Sequence, residues 1–312
     1  MFAGNPLQFA AENVRLIRQH WRGVRDGDAE SIHQARVATR RIRAALTIVD
    51  GKESDRLELC RALGRMLGKV RELDITQEIF RTLSTRSPAA SCAIAAACRT
   101  VERDQQDARR RFAKALDHLE LRPLLALRER PSITAVWKDW RRRIVTETLA
   151  RQQELCDAMD RAPVVYMPNR VHRVRIATKK LRYALEVGEA TGIRVNPNVM
   201  RDLRKTQDLL GRVHDADVAR GVVRGLHRAD GSVAAEAAIL DAVMAADCSA
   251  RYEKYLARRE RLQAACDYCA RLAATTRWSW PVTLAKSTLP AAGLVAVPVA
   301  VWRLAGREGS HA

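Results

Sequence analysis

A basic segment that occurs twice is the feature that most constrains how this chain can fold. Residues 33–46 read HQARVATRRIRAAL, and residues 172–185 read HRVRIATKKLRYAL, with seven identical positions. A second pair follows, LGKVRELDI at residues 67–75 and LGRVHDADV at residues 210–218. The order and the approximate spacing of two elements are therefore kept, which predicts an internal duplication.

The periodicity of the chain is helical almost throughout. Apolar residues recur at intervals of three and four, as at Val14, Ile17, Trp21 and Val24, and alternating strand-like runs are scarce. Turn-forming Gly and Pro residues divide this pattern into about eight long segments, four on each side of a break at residues 130–131. We therefore predict an all-α protein, built either as two helical bundles or as one longer helical array.

Each copy of the basic segment places its charges on one helical face. At about 100° per residue, four basic positions in each copy fall within roughly 80° of arc, and small or apolar residues such as Ala38 and Ile42 lie opposite. Like charges at this spacing destabilise a helix by a few tenths of a kcal/mol per pair, and neither segment contains an acid in its basic part. The two predicted stripes are His33, Arg36, Arg40 and Arg43, and His172, Arg175, Lys179 and Arg182.

The overall charge also points to an anionic partner. The chain has 55 Lys and Arg residues against 36 Asp and Glu residues, a net charge of +19. Nucleic acid, a polyphosphorylated molecule and an acidic membrane surface are all compatible with this excess. A single basic stripe is usually a solvated helix face, but its recurrence with the same spacing favours a ligand-binding role.

Cysteine usage and the two chain ends predict a cytoplasmic protein. Seven cysteines without framework spacing, and an N-terminal stretch without a secretory apolar core, indicate reduced thiols. Cys266 and Cys269 form an isolated CxxC pair in a helical stretch, which favours packing over redox chemistry or zinc binding. The apolar residues 289–304 contain Pro290 and Pro298 and are shorter than the ~20 residues of a spanning helix, so no membrane span is expected.

The repeated pattern H-x-x-R-x-x-x-[RK]-[RK]-[IL]-R, together with the second elements at residues 61–75 and 204–218, resembles the CHAD domain family. The resemblance covers roughly residues 7 to 275. It implies two four-helix bundles related by a pseudo-twofold axis around a basic central groove or pore that binds inorganic polyphosphate. On this basis residues 1–130 form the first bundle, residues 131–276 form the second, and residues 277–312, with Trp278, Trp280 and Trp302, form a tail.

The same resemblance implies a set of ligand-facing residues. The stripes are joined by Arg41 and Lys180 at their rims and by Arg61, Lys69, Arg204 and Arg212 of the second element. Asp74 and Asp217 are interpreted as ion-pair partners that hold arginine side chains. His214 and Asp217 could suggest a metal site, but the first half has Arg71 in place of His214, so neither a metal nor a cofactor is predicted.

Two alternatives to polyphosphate binding stay open on the sequence alone. An RNA- or DNA-binding role agrees with the charge, although aromatic residues are only 5% of the chain and the stripes contain one ring, Tyr183, for base stacking. A metal-dependent phosphohydrolase is less favoured, because neither a phosphate-binding glycine loop nor the E-x-E-x-K motif of triphosphate tunnel hydrolases occurs. The sequence leaves open the oligomeric state and whether binding serves attachment to polyphosphate granules.

Overall fold

A computed structural model describes residues 4–51, 53–119, 121–125, 134–229 and 233–278 of the chain. This part is helical and contains no strand, which confirms the predicted all-α class. The helices are α1 (Pro6–Asp26), α2 (Ala29–Val49), α3 (Asp55–Ser84), α4 (Ser91–His118), α5 (Arg122–Leu125), α6 (Thr134–Asp160), α7 (Pro168–Ala190), α8 (Pro197–Ala229), α9 (Ala234–Leu256) and α10 (Arg259–Trp278), with a 3₁₀ turn at Pro88–Ala90.

The predicted breakers begin and end these helices through ordinary capping chemistry. Asp28 accepts a hydrogen bond from the backbone N–H of Ser31 at 2.7 Å and so caps the start of α2. The preceding Gly27 has a φ of 78°, a left-handed conformation that glycine adopts without steric cost. Pro168 and Pro197 are the first residues of α7 and α8, where the missing N–H of proline costs no intrahelical bond.

The basic segments lie on α2 and α7, and the second elements lie on α3 and α8. Consecutive helices pack against each other from α1 to α4 and from α6 to α9, and α2 also packs on α7 while α3 packs on α8. The small and apolar positions of the stripe helices are buried as expected: Ala38 and Ile42 are 1% and 0% exposed. The four helices that carry the repeated segments therefore form contacts between the two halves of the sequence.

Two hydrophobic clusters stabilise this arrangement, and each draws on both halves of the sequence. The first takes residues from α1, α2, α5, α6, α7 and α10, from the N-terminal parts of α3 and α8, and from the C-terminal parts of α4 and α9. The second takes the C-terminal parts of α3 and α8 together with α4 and α9. The long helices α3 and α8 thus run through both clusters, and the division into bundles 1–130 and 131–276 stays a prediction.

Several predicted features fall at the limits of the described chain. The break at residues 130–131 and tail residues 279–312, with Trp280 and Trp302, lie outside the described residues. Cys266 and Cys269 are free thiols with 0% exposure inside the first hydrophobic cluster, as the packing interpretation predicts. None of the described helices combines the length and the apolar character needed to cross a bilayer.

Candidate functional site

A cavity of about 690 Å³ opens where α2 and α3 meet α6, α7 and α8. We call it the basic cavity, because eight cationic side chains and two histidines line it against three carboxylates, Glu72, Glu147 and Glu154. Eight predicted site residues belong to its lining: Arg36, Arg40, Arg43, Arg61, His172, Arg175, Lys179 and Lys180. The remaining lining cation, Arg151 of α6, had no repeat partner to single it out in the sequence.

Five of these cations have no ion-pair partner among the described residues. Arg151 and Lys180 are neutralised by the carboxylates of Glu147 and Glu154, and Arg61 lies 3.2 Å from Glu58. The unpaired side chains are Arg36, Arg40 and Arg43 of the first segment and Arg175 and Lys179 of the second. Positive charge from both basic segments is therefore left uncompensated in one cavity.

Burial raises the free energy of the charged form of these side chains. Arg175 is only 7% exposed, and its Nε finds no hydrogen-bond partner in the described structure. Burial and repulsion from Arg40 lower the pKa of Arg36 to about 10. The same causes lower the pKa of Lys179 from 10.5 to about 6, so this lysine releases its proton far more easily than one in water.

The nearest opposing charges come from a pair of acids in the second elements. Glu72 and Asp215 occupy equivalent positions of LGKVRELDI and LGRVHDADV, and both act electrostatically on Arg36 and Arg175. Burial raises the pKa of Asp215 against the opposing influence of Arg175 and Lys179. Sequence reasoning missed this pair, although an acid recurs at that position in both elements.

Three histidines of the repeated elements lie in two different environments. His172 and His214 lie together, with 3.4 Å between their Nδ1 atoms and 4.8 Å between ring centroids. Burial and the nearby Arg175 lower the pKa of His214 to about 3, so the ring is neutral at pH 7. His33 instead lies outside the cavity lining, where burial and then Arg71 lower its pKa.

His214 is a lining residue that the sequence reading set aside. From the sequence it is interpreted only as a possible metal ligand with Asp217, and the mismatch with Arg71 argues against that role. Within the described ranges, no group of three or more His, Cys, Asp or Glu side chains is arranged to hold a metal ion. Its position beside His172 is what the structure adds.

Two predicted residues are engaged in a buried ion-pair network rather than exposed to the cavity. Arg182 is 8% exposed, pairs with Glu186, and donates to Gln207 Oε1 at 2.8 Å. Its guanidinium also lies 4.1 Å from the ring centre of Tyr183. Arg41 Nε donates to the same Glu186 at 3.0 Å, so this carboxylate joins α2 to α7.

The other predicted residues lie outside the basic cavity. Lys69 pairs with Glu72 at 3.2 Å and lines a separate recess, and Arg204 is exposed on α8. Arg212 lines a second cavity of about 780 Å³. The acids predicted to hold arginines do contact them: Asp74 lies 3.2 Å from Arg109, and Asp217 lies 3.8 Å from Arg220.

The fold and the cavity together define an all-helical protein with a cationic cavity between its two sequence halves. The family model of the CHAD domain matches residues 8–224, and the chain belongs to the CHAD domain family. This family is associated with polyphosphate binding.

Comparison with solved structures supports the fold. The crystal structure of the CHAD domain from the plant Ricinus communis is 23% identical, with a TM-score of 0.62 over 84% of this chain and 93% of that chain. PptA from Streptomyces chartreusis is 18% identical, with a TM-score of 0.57 over 83% of this chain and 97% of that chain. No curated protein matches the sequence.

Proposed function

We propose that this protein binds inorganic polyphosphate in the basic cavity. The observation that carries the proposal is the set of five basic side chains from both segments, four of them arginines, that lack a carboxylate partner among the described residues. Burying charge without a partner is costly, so such a set is retained where a ligand supplies the opposite charge. Membership of a family associated with polyphosphate binding agrees with this reading.

The side-chain chemistry suits a phosphate chain. Polyphosphate repeats one negative charge per internal phosphate and has no bases to be read. An arginine fork can donate two hydrogen bonds to one phosphate while keeping its charge. Arg36, Arg40 and Arg175 therefore bind neighbouring phosphates, and each further contact along one chain is effectively intramolecular. Affinity should consequently rise with chain length and fall steeply with salt.

Titration calorimetry tests the proposal directly. The protein is titrated with long-chain polyphosphate at ~0.15 M salt, and the titration is repeated with charge-matched RNA as ligand and as competitor. Tight polyphosphate binding that RNA does not displace supports the proposal. Equal or tighter RNA binding would make the cavity a nucleic-acid surface instead.

Charge reversal locates the site. The double variant Arg36→Glu with Arg175→Glu should lower polyphosphate affinity at least about 100-fold, because two charge-assisted contacts become repulsive. The matched control is Arg22→Glu with Arg261→Glu, which changes the net charge equally at two exposed positions that do not line the cavity. Equal losses in both double variants would show that net charge alone governs binding.

The RNA alternative receives little support from the cavity lining. Tyr183 is its only aromatic residue apart from the two histidines, and this ring is 5% exposed and covered by Arg182. Single-stranded nucleic acids are usually held on accessible aromatic platforms. A phosphohydrolase role is tested separately, by measuring phosphate release with Mg²⁺ or Mn²⁺ present.

In the cell, we propose that the same cavity attaches the protein to polyphosphate granules. A fluorescent fusion should then coincide with granules, and the Arg36→Glu, Arg175→Glu double variant should be diffuse. A fusion that stays diffuse, although the purified protein binds polyphosphate, would contradict granule attachment and leave the binding proposal intact.

A further inference from the structure

A second cavity of about 780 Å³ lies on the other side of the α3 and α8 packing region. Residues of α3, α4, α8 and α9 form most of its wall. It shares no lining residue with the basic cavity: Arg71 and Asp215 belong to its wall, while the adjacent Glu72 and His214 face the basic cavity. The proposed polyphosphate site leaves this volume unexplained.

The wall of the second cavity has a modest surplus of positive charge. Three of its acids are each paired with an arginine of the same wall: Asp74 with Arg109, Glu78 with Arg81, and Asp247 with Arg251. Arg71, Arg86 and Arg212 have no carboxylate within ion-pair distance among the described residues, and the half-buried Asp215 is the remaining acid. The charge therefore suits one small anionic group.

Three residues of α3 in this wall also contain buried polar atoms without a hydrogen-bond partner among the described residues. Gln77 is 3% exposed, and its Nε2 donates to Glu102 at 3.1 Å, which leaves Oε1 without a donor from any described residue. Asp74 Oδ2 is likewise buried and unpaired, because Gln105 and Arg109 both donate to Oδ1. Arg71 Nε, three residues earlier, is a buried donor without an acceptor.

These groups select the chemistry of a ligand. Buried acceptors without partners call for N–H or O–H donors, and an inorganic phosphate chain has no such donors on its internal units at neutral pH. The same wall contains the apolar side chains of Ile79, Leu83 and Met244, with Val243 at the rim. A flat ring can pack against such side chains, as bases do in pockets that read them.

We propose that the second cavity binds a nucleoside phosphate. Its phosphate lies at the Arg71 and Arg212 end, its base donates N–H groups to Asp74 Oδ2 and Gln77 Oε1, and its ring packs on the apolar wall. The volume is within the range of pockets for ligands of this size. The site is distinct from the polyphosphate site, and neither proposal depends on the other.

Fluorescence anisotropy with nucleoside monophosphates tests this site. Each of the four common monophosphates carries a fluorophore on its ribose. Because the probe has one phosphate, it should bind only weakly in the basic cavity. We expect saturable binding of at least one probe. Gln77→Leu and Val243→Glu should each weaken it about ten-fold or more, since the first removes the free acceptor and the second places a carboxylate at the rim.

Matched variants separate the two sites. Ile239→Glu adds the same charge one turn earlier on α9, at an exposed position outside the cavity wall, and should leave probe affinity unchanged. The Arg36→Glu, Arg175→Glu variant should bind the probe normally while losing polyphosphate. Because polyphosphate binding is measured separately by calorimetry, failure of one proposal is distinguishable from failure of the other.

Three outcomes overturn the proposal. The first is the absence of saturable binding for all four probes up to about 1 mM. The second is probe binding that Gln77→Leu and Val243→Glu leave intact but the Arg36→Glu, Arg175→Glu variant removes, which would place the nucleotide phosphate in the basic cavity. The third is displacement of the probe by inorganic phosphate at equal concentration, which would show that the base makes no contribution.

Discussion

Arg43 and Arg182 are identical residues at equivalent positions of the two basic segments, yet they have different environments. Arg43 is exposed and lines the basic cavity, whereas Arg182 is buried against Glu186, Gln207 and Tyr183. The equivalents of these three neighbours in the first half are Thr47, Gly64 and Ala44, all of which line the cavity. Small residues keep the cavity open beside Arg43, and large ones fill the same space beside Arg182.

The difference teaches that a repeated motif marks where charge is placed but not whether it is free. The second half uses its arginine to bind α7 to α8 and, through Glu186 and Arg41, to α2. The first half leaves the equivalent arginine without an ion-pair partner among the described residues. The cavity is therefore asymmetric in its ion pairing despite the sequence symmetry of its stripes.

The largest expected difference between Arg182 and Arg43 is in the free energy of unfolding that is lost when each is replaced. Arg182→Met leaves the Glu186 carboxylate buried with Arg41 as its remaining partner, and we expect a loss of about 3 kcal/mol in the free energy of unfolding. Arg43→Met, at an exposed position, should change it by less than about 0.5 kcal/mol. Urea denaturation of both variants measures the contrast. Adding Glu186→Gln should recover part of the loss in the Arg182→Met background, and equal stabilities of the two single variants would contradict the comparison.

A glutamate placed in the first half at the position equivalent to Glu186 should form an ion pair with Arg43 and neutralise it. Thr47 is the equivalent of Glu186 and lies one turn from Arg43, so Thr47→Glu supplies an ion-pair partner at the cavity wall. We expect polyphosphate affinity to fall about ten-fold by calorimetry, as for the loss of one charge-assisted contact. Thr275→Glu on α10 is the matched control, because both threonines donate to the backbone carbonyl four residues earlier. A similar loss in the control would show that the added charge acts through the whole molecule.

Much of the fold and part of this site were predictable from sequence. Helical periodicity and breakers predict the helices α2 and α7, and the arc of each stripe predicts that its own basic residues share one helical face. The meeting of the two stripes at one surface is what the resemblance to the CHAD domain family implies. Local pattern carries no information on which carboxylate reaches which arginine across helices, because such pairing depends on tertiary packing. The engagement of Arg182 was therefore missed.

The residues of the second elements are distributed over several surfaces, and Arg61 alone among the predicted ones lines the basic cavity. Lys69, Arg204 and Arg212 follow the same basic pattern as the stripes, but one helical turn or less separates the two sides of α3 and α8. A small difference in the orientation of a helix therefore decides which surface such a residue reaches. Pairing the acids Glu72 and Asp215 across the repeats would have pointed to the region of the cations, because both acids act electrostatically on Arg36 and Arg175.

Arg40 and Lys179 provide a second comparison, which pH can sharpen. Arginine stays protonated, whereas the pKa of Lys179 falls to about 6 in the folded protein from about 10.5. Between these values the unfolded state binds more protons, so the contribution of Lys179 to stability rises with pH, by at most about 1.4 kcal/mol per pH unit, and is lost on acidification. Subtracting the pH profile of Lys179→Met from that of the parent protein should isolate this slope between pH 6.5 and 9. A flat difference would show that the lysine keeps its proton when folded.

The smallest expected effect concerns the two histidine settings. The first half has a cation, Arg71, where the second has the neutral His214, so His214→Arg gives the basic cavity the charge that it lacks on that side. Polyphosphate affinity should rise a few-fold at low salt, and the slope of log K against log salt should steepen by somewhat less than one unit, because one more phosphate is neutralised. An unchanged slope with altered affinity would mean that the new side chain does not reach the bound chain. The slope counts contacts independently of stability, so it distinguishes a ligand-facing position from one that only packs against His172.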